Sequence, residues 1–258
     1  MDGITRLMGV LAALCLVSAC SVPPPPDPKV PGQDIRRIVA RRASAVIVTH
    51  RDTLRHWVRG GFSAVHEPGD ADGGSATPVS PDGYFLTADH VLSQMEAHNV
   101  FVLYGRNGHL IPSKARVVWR SAREDLALLH IPESTPEYYH WSSPHHWLPS
   151  GTVMLQGGIA TGLKSTPGKL STTLAPELVF TGTRKFKINI PLQPGDSGGP
   201  VVDAYGDLVG INSAVEFFVP METAFFVDSE ASRPNTRAIA ALLKADRAHN
   251  PAPTASVP

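Results

Sequence analysis

From Ser44 to Val227 the chain is a succession of short apolar runs, each closed by a turn signal. The runs are Ser44–Thr49, Gly61–Val65, Tyr84–Thr87, Asn99–Tyr104, Ala115–Trp119, Leu126–Ile131, Thr152–Leu155, Leu178–Phe180, Phe186–Ile190, Val201–Asp203, Leu208–Ile211 and Ala224–Val227. Pro81-Asp82-Gly83, the segment 105–108, Pro149-Ser150-Gly151 and the segment 204–207 separate several of them. Runs this short are strand-length, and no helical periodicity lies between them. A parallel sheet needs crossovers of a dozen residues or more, so an antiparallel all-β sandwich or barrel architecture remains. The 24 prolines and 22 glycines supply the turns. Helical spacing appears only at the ends. Ile35, Ile38 and Val39 mark a helix over Asp34–Arg42. A second spans Thr236–Ala248, capped by Asn235 or Thr236, with Ile239, Leu242 and Leu243 on its inner face and Pro251 beyond its end. Residues 249–258 read as a loose tail.

Lys plus Arg is 23 and Asp plus Glu is 23, so the net charge is zero. There is no basic excess to neutralise phosphates, and nucleic acid is not an expected partner. The two cysteines, Cys15 and Cys20, both lie near the N-terminus, so no disulfide or Cys-based zinc site is available to the body of the fold. Leu7–Val17 is an apolar run of eleven, too short for the roughly 20 residues of a membrane-spanning helix but suited to a signal core. Arg6, opposed by Asp2, precedes it, and Val17-Ser18-Ala19-Cys20 follows. This order resembles a bacterial lipoprotein signal. The resemblance implies that residues 1–19 are removed and that Cys20 is acylated, anchoring the chain in a lipid membrane. Ser21 after the Cys implies the outer membrane, facing the periplasm. Residues 20–33 hold six prolines in SVPPPPDPKVPG and read as a polyproline II spacer, about 35–40 Å long.

Three segments carry chemistry. Gln193-Pro194-Gly195-Asp196-Ser197-Gly198-Gly199-Pro200 sets a serine on a glycine turn, followed by a strand, a turn and a strand. A serine hydroxyl is a weak nucleophile and needs a base, along with backbone N–H groups aimed at a developing oxyanion. Of the eleven histidines, His90 has a matching context in Ser80–Leu92. Asp125, in Glu124-Asp125-Leu126-Ala127-Leu128-Leu129, stands at the mouth of an apolar strand, where a carboxylate needs a partner.

In order and spacing, GSATPVSPDGYFLTADHVL, EDLALLHI and QPGDSGGPVVDAYGDLVGINSA resemble the trypsin-like serine peptidases of chymotrypsin fold, and specifically their bacterial Deg/HtrA branch. The resemblance covers about residues 34–230. It implies two antiparallel six-stranded β-barrels with the site in the cleft between them, the peptidase domain running over 34–248. It implies a His90, Asp125, Ser197 triad, an oxyanion hole from the Gly195 and Ser197 N–H groups, and support of the triad carboxylate by Ser213. It implies polypeptide substrates, and no cofactor or metal. Ala214 and Val215 would run beside the substrate backbone. The sequence departs from the pattern in four places. No Ile-Val-Gly-Gly terminus is present to pair with Asp196, where the branch usually carries Asn. Pro78 interrupts a strand that relatives build from apolar residues. The chain ends before a PDZ domain, so recruitment through such a module is not expected. Pro191 stands where a basic-specific enzyme would carry Asp. With Ala214, Phe225 and Phe226 as candidate pocket walls, a preference for small or medium apolar side chains is expected; burial in the core is the competing reading of both phenylalanines.

Other groupings have plainer readings. His140-Trp141-Ser142-Ser143-Pro144-His145-His146-Trp147 fits no metal-ligand spacing and reads as an aromatic loop. Lys185 and Lys187 alternate with Phe186 and Ile188, as on a strand's solvated face. Gly157-Gly158 is too little for a phosphate cradle. Against a serine endopeptidase stand two rivals: a catalytically silent peptide-binding module on the same fold, and a purely structural envelope lipoprotein, which leaves the GDSGGP context unexplained.

Overall fold

The computed structural model describes residues 29–50, 72–93, 99–106, 109–162, 165, 167–179, 181–218 and 225–250. The signal segment, Cys20, most of the spacer, the strand expected at Gly61–Val65 and the tail beyond residue 250 lie outside the described residues.

After a helix α1 (Gln33–Arg41) come seven strands: β1 (Ser44–Thr49), β2 (Asp72–Pro78), β3 (Tyr84–Thr87), β4 (Asn99–Arg106), β5 (His109–Lys114), β6 (Arg116–Ser121) and β7 (Leu126–His130). They form one curled antiparallel sheet in the order β5-β4-β1-β2-β3-β7-β6. The strands β8 (Val153–Gln156), β9 (Pro167–Lys169), β10 (Arg184–Ile188), β11 (Pro200–Val202), β12 (Leu208–Phe218) and β13 (Phe225–Arg233) form a second, in the order β10-β13-β12-β11-β8-β9. Helix α2 (Thr236–His249) ends the described chain. The architecture is the expected pair of antiparallel β units, with seven strands rather than six in the first.

The additional strand is β5, paired with β4 from Phe101↔Lys114 to Arg106↔His109. Its Pro112 has no N–H to give, which an edge strand tolerates. The residues of β2, Asp-Gly-Gly-Ser-Ala-Thr-Pro, have poor strand propensity, yet Ser75, Ala76 and Thr77 are buried between β1 and β3. Small side chains are required there, because a Cβ on Gly74 would sit 2.8 Å from the Ser197 carbonyl oxygen. Tertiary contact overrides propensity in this strand. Of the strand expected at 178–180, the described residues Leu178 and Val179 form a turn instead. The Leu178 N–H donates to Thr181 Oγ1 (2.9 Å), the Thr181 N–H donates to the Leu178 carbonyl (3.0 Å), and Leu178 and Val179 are exposed. A local side-chain turn satisfies the backbone in place of a ladder.

Each sheet encloses its own apolar cluster, one around Phe85, Val102 and Leu129 and one around Met154, Phe186 and Val209. A third cluster joins them. It brings Ile35 and Val39 of α1, Leu86 and Leu128 of the first sheet, Leu155, Val202 and Ile211 of the second, and Ile239 and Leu243 of α2 together. Helix α2 is capped as expected, with the Asn235 side chain accepting from the Ala238 N–H at 2.9 Å. It leaves the second sheet and ends on the first. There Asp246 accepts two bonds from Arg116 (2.8 and 2.6 Å) and one from the Tyr84 hydroxyl (2.9 Å), while Arg247 donates to Asp82. The helix therefore straps one sheet to the other.

Candidate active site

His90 lies on a short 3₁₀ turn, Asp89–Leu92, directly after β3, held by the buried side chains of Val91 and Leu92. Asp125 closes the turn between β6 and β7. It has φ +50°, and among the described residues it is the one non-glycine at positive φ. Backbone held in that region costs free energy and is often found at functional sites. The conformation turns the carboxylate toward the 3₁₀ turn. Its oxygens both lie 3.0 Å from His90 Nδ1, and Oδ1 also accepts the His90 backbone N–H at 3.0 Å. The Ser213 hydroxyl donates to Asp125 Oδ2. Burial opposes ionisation of Asp125, but the bonds from His90 and Ser213 outweigh it and hold the carboxyl well below the usual range.

Ser213 reaches this position because β12 carries a bulge between Asn212 and Ala214, which pair with Ala231 and Glu230. An extra residue in a strand re-aims its side chain. The bulge also brings Ser213 to Lys185, whose Nζ is 3.4 Å from Ser213 Oγ and 3.1 Å from Glu230 Oε1. Lys185 is thus engaged by the site rather than simply solvated.

Ser197 follows Gly195 and precedes Gly198, both at positive φ (+96° and +87°), and its hydroxyl donates to the Ser213 carbonyl at 3.2 Å. The turn is pinned by β2 of the opposite sheet. The Ser75 N–H donates to the Ser197 carbonyl (2.8 Å), the Ser75 hydroxyl to the Gly195 carbonyl (2.6 Å) and the Thr77 hydroxyl to the Gly198 carbonyl (2.9 Å). Gly198 admits no side chain, since a Cβ would fall 2.1 Å from the Ser75 carbonyl oxygen.

Asp196, left without an amine partner by the sequence, is 1% exposed. Its carboxylate accepts the N–H groups of Ala160 (3.1 Å), Thr161 (3.0 Å) and Gln193 (3.2 Å) and the Thr161 hydroxyl. Main-chain amides therefore do what a chain terminus would otherwise do. This also explains Gly158, where a Cβ would stand 2.2 Å from Asp196 Oδ1. Ser75 and the 158–161 loop were not visible as site residues in the sequence; the Gly157-Gly158 pair was the one available signal.

The four suggested pocket residues are only partly described. Pro191 is exposed between the buried Ile190 and Leu192. Ala214, Phe225 and Phe226 pair with Glu230, Phe218 and Phe217 respectively, and their side chains lie outside the described residues. In the 140–147 loop, Trp141 bridges to Leu208, and the buried Arg233 donates to the Ser142 hydroxyl and carbonyl. The loop's histidines His140, His145 and His146 point to solvent.

The family model for the trypsin-like peptidase domain matches residues 74–211. A probable periplasmic serine endoprotease DegP-like of Chlamydia pneumoniae is 28% identical over 145 residues, 55% of this chain and 28% of that protein. One from Pseudomonas fluorescens is 27% identical over 169 residues, 61% of this chain and 34% of that protein. The chain thus spans about a third or less of these relatives. The HtrA-type protease AlgW, solved with a decapeptide, superposes with a TM-score of 0.57 at 21% identity, over 83% of this chain and 67% of that one. AlgW with a tripeptide gives 0.57 at 23% identity, over 85% of this chain and 64% of that one. These solved structures share the fold.

Proposed function

The chain belongs to the trypsin-like peptidase domain family, and from that premise we propose that it is a serine endopeptidase of the bacterial envelope, hydrolysing peptide bonds through an acyl-enzyme. The observation that carries this reading is the hydrogen-bonded chain from Ser213 through Asp125 to His90 Nδ1, with Ser197 on its glycine turn bonded to the Ser213 carbonyl.

In this reading Asp125 fixes the His90 tautomer with the proton on Nδ1, leaving Nε2 as the base. Nε2 takes the Ser197 proton as Oγ attacks the scissile carbonyl, then delivers it to the leaving amine. The Gly195 and Ser197 N–H groups stabilise the oxyanion. Their positions are supported from behind by Ser75 on Gly195 and by the amide cradle around Asp196. Water then repeats the sequence on the acyl-enzyme. Pro191 offers no charge to a basic side chain, which favours apolar residues before the cut. The names of the DegP-like relatives place those proteins in the periplasm; with the lipoprotein-type signal, this supports a mature chain held by acylated Cys20 on the outer membrane's inner face.

Labelling with a fluorophosphonate tests the activity. Stoichiometric modification at Ser197 is expected, and Ser197→Ala is expected to lose peptide hydrolysis by several orders of magnitude. kcat/KM should rise with pH as the imidazole deprotonates, at its ordinary value of about 6.5 or somewhat above with Asp125 adjacent. A wild-type chain that folds, binds peptide and never labels would establish the silent binding module instead.

A further inference from the structure

Asp89 precedes His90 and is buried, its side chain 5% exposed. A carboxylate so placed is costly unless a charge partner meets it with good geometry. Arg120 does so side-on: Nε donates to Oδ1 at 2.7 Å and Nη2 to Oδ2 at 3.0 Å. This two-point fork fixes orientation as well as distance.

Arg120 and Asp125 stand on the same hairpin. In the β6–β7 ladder Arg120 faces Ala127 and Ser121 faces Leu126, and Asp125 lies just before Leu126. One hairpin end thus grips two consecutive residues, Asp89 through a guanidinium and His90 through a carboxylate. Asp125 alone, on a backbone at φ +50°, fixes the ring's hydrogen bond. The second grip fixes where the 3₁₀ turn stands relative to that carboxylate.

We propose that Arg120 is a positioning residue of the active site, locking the His90 turn against the Asp125 hairpin through Asp89. The proposal rests on the peptidase reading for its effect on rate. Chemistry at the reacting atoms is sensitive to small displacements, about 100-fold for 1 Å.

The pair also has an electrostatic consequence. Among the described residues, the charged groups bonded to the His90 turn, to His90 or to the Ser213 that supports its carboxylate are Asp89 on the 3₁₀ turn with Arg120 on β6, Asp125 at the hairpin turn, and Lys185 of β10 with Glu230 of β13 behind Ser213. Removing Arg120 alone leaves an extra negative charge beside His90, which favours its protonated form and moves the acid limb of activity to higher pH. Removing the Asp89 charge alone moves it to lower pH. Removing both restores the midpoint but not the geometry.

The test uses the full chain with Arg120→Met, Arg120→Lys, Asp89→Asn and the Arg120→Met/Asp89→Asn double variant. The readouts are fluorophosphonate inactivation, resolved into its maximal rate and half-saturating concentration, the pH midpoint, and thermal unfolding. For Arg120→Met the maximal rate should fall by about 10-fold or more with half-saturation unchanged. Arg120→Lys should recover part of that loss, and the two charge-removing singles, Arg120→Met and Asp89→Asn, should shift the midpoint in opposite directions. Wild-type rate in a folded Arg120→Met chain, or midpoints unmoved in both singles, overturns the proposal. If Arg120→Met does not fold, Arg120→Lys carries the rate comparison and Asp89→Asn the midpoint: a reduced maximal rate with unchanged half-saturation in the first and a lowered midpoint in the second support the proposal, and wild-type values in both overturn it. If the wild type itself never labels, the peptidase reading fails. The NMR titration of the His90 ring then decides the proposal, which stands if the single variants move its midpoint oppositely and falls if they do not.

Discussion

Asp196 accepts three backbone N–H groups and one hydroxyl while almost wholly buried, and it sits between the two residues whose N–H groups would bind an oxyanion. An asparagine in its place can keep the Ala160 and Thr161 amides on its oxygen. Its NH2 can donate to the Thr161 hydroxyl, but it meets the Gln193 N–H donor to donor. One contact of four is lost. Asp196→Asn is expected to fold, to keep activity within about 10-fold, and to lose about 1–2 kcal/mol of stability. Asp196→Ala strands all the donors and should cost more, with activity falling further than stability alone accounts for. Peptidase assays beside denaturant titrations of both variants check this. An Asn variant as inactive as the Ala variant would mean that the full negative charge, rather than acceptor geometry, holds the loop.

Helix α2 is tied to the first sheet by polar contacts at its C-terminal end as well as by buried Ile239 and Leu243, so part of its docking should depend on pH. The bonds from Arg116 lower Asp246 to about 2, against some opposition from burial and with help from Tyr84. A carboxyl depressed in the folded state stabilises above its unfolded value of 3.8, and that contribution is lost as pH falls through the folded value. The window is therefore about pH 4 to 2. His130, whose ring is tilted against that of Tyr84 with centroids 4.5 Å apart, acts with the same sign at higher pH. Burial and Arg116 lower its pKa, so from about 6.5 downward the unfolded chain takes up the proton more readily. Asp246→Asn should cost about 1.5–3 kcal/mol at neutral pH and flatten the stability curve below pH 4, as read by unfolding melts across pH. The sequence disclosed α2 and its cap because a 3.6-residue period and an Asn are local signals. It could not disclose the strap, since Arg116, Tyr84 and Asp246 meet only in the fold. The same division separates the strands. Apolar runs such as β1 and β7 announce themselves, whereas β2 is a strand because of its neighbours and β5 because an edge can spare the N–H that Pro112 lacks. At the site, His90, Asp125 and Ser197 stand in local motifs. Ser75, Gly158 and Arg120 matter through partners far along the chain: Ile159, 84 residues from Ser75, Asp196 beside Gly158, and Asp89, 31 residues from Arg120.

At the scale of the whole molecule, the proposed anchor would join the fold through α1. Lys29 stacks its ammonium over Tyr205 at 4.0 Å, and four residues later α1 begins, with Ile35 and Val39 buried in the cluster that joins both sheets. A Cβ on Gly157 would fall 2.3 Å from Val39 Cγ1, so α1 lies directly against the chain leading into the Asp196 cradle. The spacer can therefore be cut without touching the peptidase body only if the cut falls before the helix. A chain beginning at Gln33 should fold and stay in solution with its site intact. One beginning at Ala43 gives up two buried aliphatic side chains, about 1.5–3 kcal/mol each, and should be markedly less stable and less active. In the full chain Cys20→Ala should abolish lipid attachment and signal processing by the lipoprotein route, because it removes the thiol that would be acylated; several acyl chains, at about 0.8 kcal/mol per buried CH2, would otherwise hold the protein far more firmly than one. The mutant should then carry no lipid and keep its unprocessed signal, while its fluorophosphonate labelling at Ser197 is unchanged. Mass spectrometry of the native N-terminus gives the direct answer. A mature chain that starts anywhere other than an acylated Cys20 would refute the anchor and leave the catalytic proposal standing on the site alone.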